Sequence, residues 1–96
     1  MYDTIILDFE YSDNGNDFDI LSKVYLEYNS ILIDRQYKNS KDAIATQRIR
    51  YPDISDVELN GDCIIITYSK GSVYLKNKDS DAIQNFYNKL VEIKDN

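Results

Sequence analysis

Residues 48–75 read RIRYPDISDVELNGDCIIITYSKGSVYL, three short apolar runs divided by two glycine turns, Asn60-Gly61-Asp62 and Lys70-Gly71-Ser72. Runs rich in Ile, Val and Tyr, bounded by Asn-Gly and Gly-Ser turns, predict antiparallel strands joined by tight hairpins. They cover residues 54–59, 62–68 and 72–76. In front of them Pro52 has no N–H to give a ladder and holds Tyr51 extended, so a strand over residues 43–51 ends at a corner. Behind them Ile83, Phe86, Leu90 and Ile93 recur at spacings of three, four and three, with Ala82, Tyr87 and Val91 widening the stripe. That spacing predicts an amphipathic helix over residues 81–93, capped by Ser80 or Asp81 and carrying Lys89 and Lys94 toward its C-terminal end.

Upstream, residues 4–11 alternate, with Ile5, Leu7, Phe9 and Tyr11 on one face and Thr4, Ile6, Asp8 and Glu10 on the other. Period two is the mark of a half-buried strand. Asn14-Gly15 then signals a hairpin turn, because both residue types tolerate positive φ. Residues 18–28 alternate again through Phe18, Ile20, Val24, Leu26 and Tyr28. The same segment places Leu21, Val24, Tyr25 and Tyr28 at helical spacing; its β-branched and aromatic content favours strand, and both readings stay open. A strand over residues 31–37 and a polar loop over residues 38–42 complete the chain.

Ninety-six residues suffice for one compact domain. Nine tyrosines against three phenylalanines and no tryptophan suit half-buried sheet surfaces, where an apolar ring carries a wet hydroxyl. The one cysteine, Cys63, permits no internal disulfide and no cysteine zinc cluster, and with no histidine the commonest general base and metal ligand are missing. No signal-peptide pattern and no apolar run of bilayer length appear, so a reducing, cytoplasmic setting is expected. The net charge of −6 is lopsided. Asp3, Asp8, Glu10, Asp13, Asp17 and Asp19 lie in the first twenty residues with no basic residue, and they account for the whole imbalance. Such a segment repels nucleic acid and anionic membranes and attracts a basic protein surface.

The order of strands, turns and helix resembles the pleckstrin-homology-like fold, and in particular its small bacterial members. The resemblance rests on Ile49-Arg50-Tyr51-Pro52-Asp53-Ile54-Ser55-Asp56-Val57-Glu58-Leu59, then Cys63-Ile64-Ile65-Ile66-Thr67, then Gly71-Ser72-Val73-Tyr74-Leu75, then the helix from Ala82 to Leu90. It implies an α+β, mainly β fold: about seven antiparallel strands in a roll or partly open barrel, closed by one C-terminal amphipathic helix. Members that bind phosphoinositides carry lysines and arginines around the first hairpin. Here Asp13, Asp17 and Asp19 stand there instead, which argues against an inositol phosphate and for a peptide or protein.

No enzyme is expected. Cys63, between Asp62 and an isoleucine run, reads as a small hydrophobe with no histidine to activate it, and Asp8 with Glu10 read as a solvated strand face. No calcium frame fits, since no register through Asp8 or Asp13 supplies both the glycine and the terminal glutamate of an EF-hand loop. Arg48 and Arg50, with Arg35 and Lys38 across the sheet, could make a modest basic patch, but cross-strand pairing with Asp34 or Asp53 is the expected arrangement. The expected function is therefore protein binding without a cofactor or metal. Asp8, Glu10, Tyr11, Asp13, Asp17 and Asp19, dressed by Tyr2 and Phe18, would occupy a basic surface on a partner such as a nucleic-acid-handling enzyme. Anti-CRISPR, anti-restriction and immunity proteins act this way as a class. The alternative is an adaptor that takes a peptide at a sheet edge or in a groove beside the helix.

Overall fold

A computed structural model describes residues 4–18, 20–37 and 44–95. Tyr2, Asp3, Asp19, Lys38, the polar loop at 38–42 and the expected start of a strand at Ala43 lie outside these residues.

Seven strands precede one helix: β1 (Ile5–Ser12), β2 (Ile20–Leu26), β3 (Ser30–Tyr37), β4 (Ile44–Arg50), β5 (Ile54–Asn60), β6 (Cys63–Tyr68), β7 (Gly71–Lys76) and α1 (Ser80–Lys94). They form one antiparallel sheet in the order β4-β3-β2-β1-β7-β6-β5. Within it β1 and β7 share only three residue pairs, from Glu10↔Lys76 to Ser12↔Tyr74, so two larger ladders meet at a narrow seam. The edge strands β4 and β5 are consecutive in the chain, joined by a 3-10 turn at Tyr51–Asp53, so the corner at Pro52 is as expected but Tyr51 belongs to the turn and Arg50 is the extended end of β4. The sheet rolls until strands remote in the order touch across the interior. Tyr11 of β1 donates to Gln47 Oε1 of β4 at 3.1 Å, and Gln47 Nε2 donates to the Tyr68 hydroxyl of β6 at 2.7 Å. This is a partly open roll.

Alternation places the core. Phe9 and Tyr11, Val24 and Leu26, Ile31 and Ile33, Ile49, Ile64 and Ile66, and Val73 with Leu75 all point inward and are buried. For residues 18–28 the strand reading is the one realised: Leu21 is exposed and Val24 fully buried, as period two requires. Tyr28 falls beyond the end of β2 and is exposed. Across the open side of the roll lies α1, which buries Ile83, Phe86 and Leu90. The Phe86 ring meets the Phe9 ring edge to face, 4.9 Å between centroids.

Several local expectations are corrected. The helix cap is Asp79, whose carboxylate accepts from the N–H groups of Asp81 and Ala82 at 3.1 Å each; Ser80 and Asp81 lie inside the first turn. Asn77 Oδ1 in turn accepts from the Asp79 N–H, which holds the cap in place. The hairpin signalled by Asn14-Gly15 is formed by β1 and β2, which residues 13–19 join, and Gly15 has positive φ (81°) while no non-glycine residue does among those described. Arg48 pairs with Glu27 at 3.1 Å, not with Asp34 or Asp53. Asp34 instead accepts from the Thr46 hydroxyl. Arg35 and Arg48 form no common patch, because Arg35 shares the inward face of Ile31 and Ile33 and lies over the Tyr11 ring, 5.3 Å from its centroid.

Candidate functional site

The β1–β2 loop is built by side chains. Ser12 is fully buried, and its Oγ accepts from the N–H groups of Asn14 (3.2 Å) and Gly15 (2.9 Å). Asn14 Oδ1 then accepts from the N–H groups of Asn16 (2.8 Å) and Asp17 (3.1 Å) and from the Ser12 hydroxyl. These are short side-chain-to-backbone turns of the kind Ser and Asn favour. The loop folds over β7: a Cβ at Gly15 would stand 3.2 Å from the Tyr74 ring, and the Phe18 ring receives Lys76 Nζ at 5.2 Å from its centroid. Asp13 and Asp17 remain exposed at the tip.

A second feature is an open groove of about 640 Å³ on the outer face of the sheet. Asp8, Glu10 and Asp34 line it together with Lys23, Lys76 and Lys78, over a floor that includes Leu21 and Tyr25. Lys23 Nζ lies 3.9 Å from Asp8, and Lys76 is the cross-strand partner of Glu10. Asp8 therefore pairs with a lysine of β2, and Glu10 has a lysine as its neighbour through the long-range pairing of β1 with β7.

A third is a cleft of about 520 Å³ where α1 ends against the Pro52 corner, lined by Tyr28, Asn29, Arg50, Tyr51, Pro52, Ile93 and Lys94. The Tyr51 hydroxyl anchors this corner by donating to the Glu27 carbonyl at 2.5 Å.

The six acid-segment candidates thus separate. Asp13 and Asp17 stand together on the loop, Asp8 and Glu10 line the groove beside lysines, and Asp19 lies outside the described residues. Tyr11 is not a surface residue: it is 3 % exposed, and burial pushes its phenol above the ordinary value while Arg35 pulls the other way. Sequence reasoning missed Lys23, Lys76 and Lys78 as neighbours of these acids. Alternation does carry the face of Lys23, but nothing local signals that β7 will lie beside β1. Cys63 is half-buried, and desolvation followed by the Asp62 charge pushes its thiol up, away from nucleophilic thiolate. Among the described residues no helix is long and apolar enough to cross a membrane.

No protein-family model and no curated protein matches this sequence. Among solved structures it is similar to the solution structure of the N-terminal PH domain of the human ARAP2 protein, with a TM-score of 0.73, 14% identity, and coverage of 95% of this chain and 78% of that one. At that identity the likeness is one of fold. Seven antiparallel strands in an unclosed roll, capped by a C-terminal helix, give this chain the pleckstrin-homology-like fold.

Proposed function

We propose that this protein is a non-enzymatic, cytoplasmic protein-binding domain whose acidic β1–β2 loop docks on a basic surface of its partner. The observation that carries this is the state of the loop's backbone donors. An anion-binding loop offers free N–H groups and cationic side chains. Here the N–H groups of Asn14, Gly15, Asn16 and Asp17 are already taken by Ser12 Oγ and Asn14 Oδ1, and the exposed charges are the carboxylates of Asp13 and Asp17. Phosphate finds these four donors occupied and carboxylates exposed at the tip; lysine and arginine find two carboxylates on a backbone already held by side-chain hydrogen bonds, which lowers the entropic cost of association. Basic surfaces of this sort belong to enzymes that handle nucleic acid, and an acidic domain seated there competes with the nucleic acid. We therefore favour an antagonist of the anti-CRISPR, anti-restriction or immunity type, with Asp13 and Asp17 at the centre of its contact.

The cleft at the end of α1 supports a second reading. Its two tyrosines, Pro52 and Ile93, with Arg50 and Lys94 and no acid in the lining, suit a peptide carrying an apolar side chain next to a carboxylate, as an adaptor would take.

Affinity capture from the native host with wild-type protein, D13N/D17N and R50A/I93A separates the two. The antagonist reading expects a basic protein that elutes as salt rises and is lost with D13N/D17N. Loss with R50A/I93A alone would favour the adaptor, and capture unchanged by D13N/D17N would refute the acidic-loop reading.

A further inference from the structure

The outer face of β1–β3 carries a pattern that neither the core nor the acidic loop uses. Cross-strand register sorts its side chains into rows. Ile6, Tyr25 and Leu32 form an apolar row, and the next row is Asp8, Lys23 and Asp34, alternating in sign. Ile6 is 52% exposed and Leu21, one row further on, is 49% exposed. Lys78, just past the end of β7, lines the same groove as Asp8, and Asn77 Nδ2 donates to the Asp8 carbonyl at 2.8 Å to hold that corner. With Lys78 beyond the end of β7, the charged row reads plus, minus, plus, minus toward β3. It is neutral, on a chain of net charge −6.

We propose that this face is a homodimer interface, on which a second copy of this chain packs sheet to sheet about a two-fold axis running along the strands between β1 and β2. An isologous interface brings the same patch from both copies together and must be complementary to itself. This axis sets β1 against β2 of the second copy, and β7 against β3. Ile6 then meets Tyr25, Asp8 meets Lys23, and Lys78 meets Asp34, each contact occurring twice. Other axes fail on charge. Placed on β2, the axis opposes Lys23 to its own copy; placed on β1, it opposes Lys23 to Lys78. Placed between β2 and β3, it sets Asp8 against Thr46 and Ile6 against Arg48, the outer-face partners on β4. Of these four axes, the one between β1 and β2 satisfies the whole row. The occupant follows from net charge as well. Two copies at −6 repel one another overall, which favours contact through a neutral patch, whereas a basic partner is drawn to the acidic loop.

Sedimentation velocity of the full chain over a concentration series at low salt tests this. Wild type is expected to pass from monomer to dimer as concentration rises. D8K and K23D each oppose like charges twice, so each alone is expected to weaken association on the order of 10-fold or more. An equimolar mixture of D8K and K23D is expected to restore dimers, because every opposed pair in the hetero-dimer is then of opposite sign, and D8K/K23D in one chain is expected to associate like wild type. Rescue by mixing also shows that both single variants fold. A wild type that stays monomeric through millimolar concentration overturns the proposal. So do single variants that dimerise like wild type, or a mixture that stays as weak as its components.

Discussion

Gly15→Ala tests whether the acidic loop is held by packing as well as by hydrogen bonds. Gly15 has φ +81°, a left-handed conformation that costs a side-chain-bearing residue about 1–2 kcal/mol. The new methyl would also lie 3.2 Å from Cε2 and Cζ of Tyr74, so the ring or the loop must shift, and the two effects together come to about 2–3 kcal/mol. Gly61→Ala is the internal control: Gly61 has φ +63°, but a methyl there would meet nothing within 4 Å, leaving only the backbone cost of about 1–2 kcal/mol. A 96-residue domain has a total stability of roughly 5–14 kcal/mol, so the first change is large and the second modest. At ~4–8 °C per kcal/mol the melting point of G15A is expected to fall by roughly 8–24 °C. Urea unfolding followed by circular dichroism gives both values, and Y74A with G15A closes a double-mutant cycle in which relief of the contact should appear as a coupling of at least ~0.5 kcal/mol. Equal destabilisation by G15A and G61A, or zero coupling to Tyr74, would refute the claim that the loop is seated on β7.

Two further outcomes follow from the core. Phe86, 1% exposed and edge-on to Phe9, sits where the helix closes the roll, so F86A is expected to cost about 3–5 kcal/mol in urea unfolding and F86L clearly less. At alkaline pH the folded state holds the Tyr11 phenol and the Cys63 thiol protonated longer than the unfolded chain does, because burial raises both. Above the ordinary values of about 8.5 for a thiol and 10 for a phenol the unfolded chain then binds fewer protons, and stability falls with rising pH until the folded groups themselves titrate. Denaturation midpoints measured between pH 7 and 11 should decline over the upper part of that range, more shallowly in C63A.

Much of the architecture is legible in the sequence because the signals that encode it are local. Period two through Ile5, Leu7, Phe9 and Tyr11 marks the inner face of β1; Gly61 and Gly71 mark the last two hairpins, Pro52 the corner, and Ile83, Phe86 and Leu90 the buried helix face. The surface is less legible, because charge placement depends on contacts remote in sequence. Lys23 of β2 pairs with Asp8, and the β1–β7 register sets Lys76 opposite Glu10, sixty-six positions apart, so part of the run of acids stands beside cations in space; Arg48 likewise pairs with Glu27 rather than with an acid near it in sequence. Tyr11 adjoins acids in sequence and so reads as a contact residue, yet the alternation that buries Phe9 buries it too. Asn14-Gly15 signals the β1–β2 hairpin, but not that Ser12 and Asn14 would take the backbone donors of its loop.

Titration of 15N-labelled protein with a lysine hexamer, followed through backbone amide shifts, tests the acidic loop most directly. The largest shifts are expected within residues 13–18, diminishing as salt is raised and disappearing in D13N/D17N. Shifts centred instead on Asp56 and Glu58 of the β5 edge, or on Asp79 and Asp81 at the start of α1, or a response at the loop that survives D13N/D17N, would contradict the assignment of cation recognition to Asp13 and Asp17.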